Sequence, residues 1–498
     1  MKNGRCLPWA LALSLVIPLA AVVPAQANEE YGQIVSIPAP AGSEGVSVDE
    51  YGGFERFSSR EVVWRPDGSS RYQSWFCNEG NTGSGDCNLD DPEKHFASNA
   101  ILPFCQSNLQ ENCVEALEIG LIGQPLESAS FMRHVNVPTL PEIKSQGLIG
   151  GGSTPLFQSS FVHGGGQTTY AANVVAQIGY DRASRTFVTK SLNVGVYAYN
   201  EKQGPSIHMD ITSEWTDDQG KAVRRVGFRA PRECRWSEQG RCGVEQAFAP
   251  GVEVRLTMRV PDTFTGWFRG RLKSPQISIS RFSPSNSKIS VTAQPVDVAR
   301  LHTVVSSSEA SPEQRAAILK NAGSGRFFRG GGRSMIFSHW GDFNYLELFR
   351  ETSKDKAAGR TSHWSFSTVD NSSNNQCLAS KSRVLGIVTT NATVYNGVVP
   401  TFRNGQLSYD VAGLHYLPNG ELNLGSYDLV MRSDVARCLY GFSKAPLNAK
   451  VSVVNNKGER FTATTVVGEK NGWLRLAAYG FTFSQKTIKV KITQKKKR

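Results

Sequence analysis

Residues 159–170, SSFVHGGGQTTY, set His163 directly before Gly164, Gly165 and Gly166. This is the pattern of an oxyanion loop, whose backbone N–H groups would hold the negative charge of a tetrahedral intermediate in acyl-ester hydrolysis. Such chemistry also needs a serine nucleophile on a strained strand-to-helix turn, G-x-S-x-G, and the chain contains no such pentapeptide. Gly441-Phe442-Ser443-Lys444-Ala445 comes nearest, but it falls among predicted hairpins. The regular alternation of strand and helix that builds a hydrolase sheet is missing too. The expectation is therefore a glycine-rich turn between the strands PLFQSSFV and TTYAANVVAQI.

Metal chemistry finds little support. The histidines stand singly, none at the i, i+4 spacing by which a helix presents two zinc ligands. His208 and Asp210 share one face of a predicted strand, which makes an ordinary hydrogen-bonded pair. Asp86, Asn88 and Asp90 open like a calcium loop, but Asp91 stands where the turn glycine belongs and Ala97 where the closing glutamate belongs. The sequence calls for no metal and no cofactor.

The strongest chemical signal is basic. From Lys221 to Lys273 there are 12 basic and 5 acidic side chains. Arg224, Arg225, Arg229, Arg232, Arg235 and Arg241 cluster about Cys234 and Cys242, with Trp236 among them. Arginine offers a planar fork for carboxylate or phosphate, and tryptophan a stacking face, so these seven residues are the candidate anionic-ligand site. The other reading is a strand face whose arginines pair with acids elsewhere in the chain. Residues 28–165 supply those acids, with 18 acidic and 7 basic side chains, whereas 166–498 hold 25 and 46. Such a split fits an acidic partner, or two oppositely charged surfaces that meet.

The elements that must carry these residues are mostly strands. KSLNVGVYAYNE, VEVRLTMRVPD, SPQISISRF, SKISVTAQPVDV and KTIKVKITQ alternate apolar with polar side chains. In the last, Ile488, Val490 and Ile492 face one way and Lys489 and Lys491 the other. Near the C-terminus, AKVSVV, RFTATTVVG and WLRLAAYGF are joined by Asn455–Gly458 and Asn471-Gly472 turns, a run of hairpins. Helix is predicted from Ser311 as cap and Pro312 as first residue to Gly323, and again from Asp342 to Gly359; residues 107–119 fit either helix or strand. The fold class expected is mainly β, with antiparallel sandwiches or barrels in several domains and a short helical insert.

Residues 1–27 have a basic start, an apolar run and an Ala25-Gln26-Ala27 site, the layout of a cleaved signal peptide, and no later stretch is apolar enough to span a membrane. Eight cysteines follow it, an even number that favours disulfides in an exported protein. Proximity pairs Cys77 with Cys87, Cys105 with Cys113, Cys234 with Cys242, and Cys377 with Cys438. Glycine-rich and polar stretches divide the remainder into an acidic cysteine-rich region (28–165), a basic β-rich domain (166–305), a helical insert (306–365) and a β-rich C-terminal domain (366–498).

The stretch running from CLASKSRVLGIVTTNATVYNG through VAGLHYLPNG to YDLVMRSDVARCLYGFSKAP and EKNGWLRLAAYGFTFS resembles the C-terminal part of uncharacterised secreted bacterial proteins, with Cys377 and Cys438 as its marks. The resemblance covers the last quarter of the chain and implies export and a β-rich fold, with no known activity to carry over. The reading that results is a secreted or cell-surface, non-catalytic binding protein whose partner is an anionic cell-wall polymer or a protein, and not nucleic acid. A secreted hydrolase of polysaccharide or wall material, and a self-associating surface component joined acid to base, are the rival readings.

Overall fold

The computed structural model describes residues 43–49, 60–64 and 70–73 and most of 89–494, the longest gaps being 204–207, 217–221, 230–233, 323–332, 338–342 and 370–374. The signal-peptide segment, Cys77, Cys87, Asp86, Asn88, Asp90 and Arg232 lie outside the described residues, as do the side chains of His208–Thr216 and Ala222–Arg229.

The protein is mainly β, and its sheets stack in layers around shared strands. Val384–Thr390 (VLGIVTT) is buried at every position, the near-continuous apolar run of a strand covered on both faces. Ile387 enters one core and Val388 another. The neighbouring strands divide their side chains in the same way. Gly266–Arg271 gives Phe268 to the first core and Trp267 to the second, and Leu424–Arg432 gives Val430 to the first and Tyr427, Leu429 and Met431 to the second.

The first core is closed by a five-stranded antiparallel sheet in the order Lys273–Arg281, Asn286–Gln294, Val252–Pro261, Cys113–Leu121, Glu127–Ser128. The second is closed by a sheet in which Lys486–Gln494 lies between Gln406–Ala412 and Leu447–Asn455. Ile488, Val490 and Ile492 are buried there, as the alternation predicts. The structure is thus sandwich-like with a shared middle sheet, and among the described residues no sheet closes into a barrel.

Sheet pairing crosses the compositional boundary at residue 165. His95–Ile101 pairs with Thr169–Asp181, and Cys113–Leu121 pairs with Val252–Pro261. This second pairing brings acids of the N-terminal region onto bases of the middle region. Glu118 meets Arg255, and Glu115 meets both Arg259, at 2.7 Å, and Lys288. Ser43–Asp49 reaches further, pairing antiparallel with Val296–Ser306 and parallel with Arg333–Phe337.

Helix α1 (Pro312–Ala322) starts where Ser311 predicts it. The Ser311 hydroxyl accepts the Gln314 N–H at 3.2 Å and the Gln314 amide oxygen accepts the Ser311 N–H at 3.0 Å, a reciprocal capping box. Helix α2 (Phe343–Arg350) is shorter than its expected run to Gly359, because Lys354 and Asp355 turn left-handed and Gly359 already opens a strand. Both helices pack on Val46, Val48, Leu301 and Val305. The ambiguous segment resolves as the strand Cys113–Leu121. Helix α3 (Ser433–Tyr440) corrects the C-terminal hairpin reading: Gly441, at φ 64°, is its C-cap, so the Gly441–Ala445 stretch follows a helix. Among the described residues three disulfides are formed, Cys105–Cys113, Cys234–Cys242 and Cys377–Cys438.

Candidate anion-binding cleft

The residues that invited a chemical reading are mostly structural. His163 is buried, 2 % exposed, at the tip of the hairpin between Pro155–Gln158 and Thr169–Asp181. Its Nδ1 accepts the Gly165 N–H at 3.1 Å, so the ring proton sits on Nε2, which donates to the Tyr199 carbonyl at 3.1 Å. Gly164 and Gly165 press against Ala247 and Gln246, and a β-carbon on Gly165 would lie 2.5 Å from the Gln246 side chain. The Gly164 N–H is taken by the Ala247 carbonyl at 2.8 Å, so the loop fastens two elements together.

His134 is held in a similar way, accepting the Phe104 N–H on Nε2 at 2.9 Å. Burial pushes the pKa of both rings down, against a smaller opposing effect of the Tyr199 carbonyl at His163. A histidine whose folded pKa lies below its unfolded value of about 6.5 binds fewer protons when folded, so its contribution is full above that pH and is lost as pH falls through it. Stability is expected to fall between pH 7.5 and 5 by up to about 1.4 kcal/mol per pH unit for each ring. Urea midpoints for the wild type and a His134→Gln/His163→Gln double variant check this, since only the wild type should show the added slope.

The basic cluster at the Cys234–Cys242 disulfide is corrected in the part that is described. Trp236 has no exposed face: it is 0 % exposed and stacks edge-on to Tyr199 at 5.3 Å, fitted against Gly243, where a β-carbon would strike the indole. Arg235 turns inward, its Nε bonded to Glu245 at 2.7 Å and its guanidinium over Tyr197 at 4.7 Å. Arg241 pairs with Glu201 at 3.1 Å and with Glu238 at 2.7 Å, and Arg133 reaches the same Glu238. Burial works to raise the Glu238 carboxyl, but Arg133, the Asn136 N–H and Arg241 outweigh it and hold it below the usual range. Arg224, Arg225 and Arg229 lie on Ala222–Arg229, which pairs with His208–Thr216 so that Glu214 stands opposite Arg224. Trp236 and Arg235 therefore spend their chemistry inside the protein, whereas Arg241 stays half exposed with Glu201 and Glu238 as its partners. A count of charges along a strand does not say which side they face.

A different set of arginines converges where the five-stranded sheet meets the middle sheet. Arg281 ends the strand Lys273–Arg281, Arg383 immediately precedes Val384–Thr390, and Arg432 ends Leu424–Arg432. With Asp262, Phe264, Ile279, Ser287, Ile289 and Val384 they line a cleft of about 290 Å³. Its floor is apolar and its rim is charged. Asp434, in the first turn of α3, accepts from Arg383 at 2.7 Å and from Arg432 at 3.3 Å. Burial works to raise the Asp434 carboxyl, but these two arginines overcome it and hold it low, so Asp434 is a fixed counter-ion and not a proton donor. Asp262 is paired with Arg281 and accepts the Ser287 hydroxyl at 2.5 Å.

Three guanidinium groups thus face two carboxylates. Each guanidinium has five N–H donors, and Asp434 takes few of those on Arg383 and Arg432. The side chains of Arg281, Arg383 and Arg432 are 64, 44 and 36 % exposed, so the cleft presents donors to solvent.

The chain matches no protein-family model and no curated relative. Sequence reasoning missed Arg281, Arg383 and Arg432 because they lie about 50 to 150 positions apart and meet only through sheet packing. Among the described residues no group of histidine, cysteine and acidic side chains could hold a metal ion, and no helix is long and apolar enough to cross a membrane. Asn391, in an Asn-x-Thr triplet, uses its amide on the Leu424 carbonyl at 2.9 Å and on the Ser426 N–H at 2.7 Å, a fastening of the strand Leu424–Arg432.

Proposed function

We propose that this is an exported, non-catalytic binding protein that takes an anionic group of an extracellular polymer in the Arg281–Arg383–Arg432 cleft. The observation that carries the reading is the convergence of these three half-exposed guanidinium groups over an apolar floor. At about 290 Å³ the space suits one charged unit of a chain, being at the small end of ligand pockets. Export is supported by the signal-like N-terminus and the three disulfides. Head-to-tail assembly loses part of its electrostatic motive, because Glu115 and Glu118 already meet Arg259, Lys288 and Arg255 within one chain.

Titration calorimetry with galacturonate and with inorganic phosphate tests the proposal. Charge-assisted hydrogen bonds are worth about 1.5–3 kcal/mol, so Arg383→Ala is expected to weaken binding at least tenfold. Asp434 keeps Arg432 in that variant, so no carboxylate is stranded. Equal affinity in wild type and variant, or a larger loss in Arg235→Ala, overturns the proposal.

A further inference from the structure

Arg432 stands directly opposite Trp473 in the sheet, its guanidinium 5.8 Å from the indole centroid, so the cleft opens onto the strand Trp473–Thr482. Alternate residues of that strand share a face. On it Trp473, packed by one side on the first core, Arg475 and Tyr479 are half-buried, with Ala477 fully buried between the last two, and Leu474, Leu476 and Ala478 belong to the second core behind. Arg475 is fixed by Asp428, at 3.1 Å, and by the hydroxyls of Ser274, at 2.7 Å, and Tyr479, at 2.6 Å. Lys273 closes the far end, its Nζ 5.3 Å from the Tyr479 ring. On the neighbouring strand Thr464–Lys470, the residue opposite Arg475 is Gly468 and the one opposite Trp473 is the exposed Lys470. A β-carbon at Gly468 would meet nothing within 4 Å, so the space beside Arg475 is open. Asp428, buried on this face, is paired with Arg475, while Lys273, Arg432 and Lys470 add three further bases along it, Arg432 being shared with Asp434.

We infer that the cleft is the end subsite of a longer groove, running from Arg432 over Trp473, Arg475 and Tyr479 to Lys273, and that its ligand is an acidic polysaccharide. This rests on the cleft reading above. The groove is roughly 20 Å long, six residues at about 3.3 Å each. Aromatic faces alternating with cations match a chain that alternates flat, weakly polar ring faces with carboxylates, and the aromatic rings give no advantage to a ring-free polyphosphate. Two linked subsites also bind a long chain more tightly than either binds a monomer.

The test is calorimetry with galacturonate oligomers of one to eight units, on wild type, Gly468→Tyr and Arg383→Ala. Gly468 does not have a left-handed φ and faces open space, so tyrosine there is expected to fold normally and to cover Arg475. In the wild type, affinity should rise at least tenfold with length and then level off once the oligomer spans the groove. Gly468→Tyr should return the octamer to the monomer's affinity and leave monomer binding and thermal stability unchanged. An octamer no tighter than the monomer, or a Gly468→Tyr variant that keeps the length dependence, overturns the groove and leaves the cleft standing. Monomer binding unaffected by Arg383→Ala overturns the cleft reading itself. Polyphosphate or single-stranded DNA binding as tightly as the octamer overturns the assignment to polysaccharide.

Discussion

Asp428→Ala is expected to lower stability by about 3–5 kcal/mol, the cost of removing one partner from a buried charged network. Asp428 is 0 % exposed. Its carboxylate accepts the Tyr479 hydroxyl at 2.6 Å, the Ser274 N–H at 3.1 Å and Arg475. Alanine leaves Arg475 and Tyr479 bonded only to each other and to the Ser274 hydroxyl, without the buried carboxylate, and Ser274, at φ 58°, loses the N–H contact that holds its strained backbone.

Asp428→Asn is the informative control. Burial pushes the Asp428 carboxyl up, against the pull of Tyr479 and Arg475. A carboxyl whose folded pKa exceeds its unfolded value holds more protons when folded, so its contribution weakens as pH rises through that window. The ionised form is therefore a net cost at neutral pH, and asparagine, which keeps an acceptor without the charge, should change stability by less than about 1 kcal/mol. Urea midpoints at pH 7 with unchanged m-values decide it. Equal losses for alanine and asparagine would mean that charge, and not the acceptor geometry, holds the network.

The second large effect concerns Cys377–Cys438. It closes a separation of 61 residues, against 8 for each of Cys105–Cys113 and Cys234–Cys242. Chain-entropy arguments give about 4 kcal/mol for the long loop and about 2.5 kcal/mol for a short one. The bridge also ties α3 to the segment before Val384–Thr390, with Cys377 packed against the second core. Replacing both cysteines by serine should therefore lower the unfolding midpoint more than the same change at Cys105 and Cys113. A larger shift at the short loop would contradict the loop-length argument.

How much of this was legible in the sequence depends on the range of the interaction. Alternation in KTIKVKITQ predicted the buried Ile488, Val490 and Ile492, and Ser311-Pro312 predicted the start of α1, because both signals are local. Cysteine proximity likewise anticipated the three described pairs. The proposed ligand site was not legible. Arg235 and Arg271 look like surface charge in a basic stretch, yet Arg271 is 0 % exposed, donating to the Thr390 and Ala392 carbonyls, and Arg235 is paired with Glu245. The arginines that converge come from three strand ends, and only the packing of two sheets brings them together. Helix α3 was missed although Val435, Ala436 and Leu439 fall at helical spacing, because it follows the strand Leu424–Arg432 directly, with no side-chain N-cap to mark its start.

The place of Lys486–Gln494 between Gln406–Ala412 and Leu447–Asn455 has a consequence for the order of folding. The two flanking strands do not pair with each other, so the sheet over the second core cannot close until residues 486–494 are in place. Completing that half of the molecule thus waits on a contact between segments far apart along the chain, the kind of pairing that forms late and slowly.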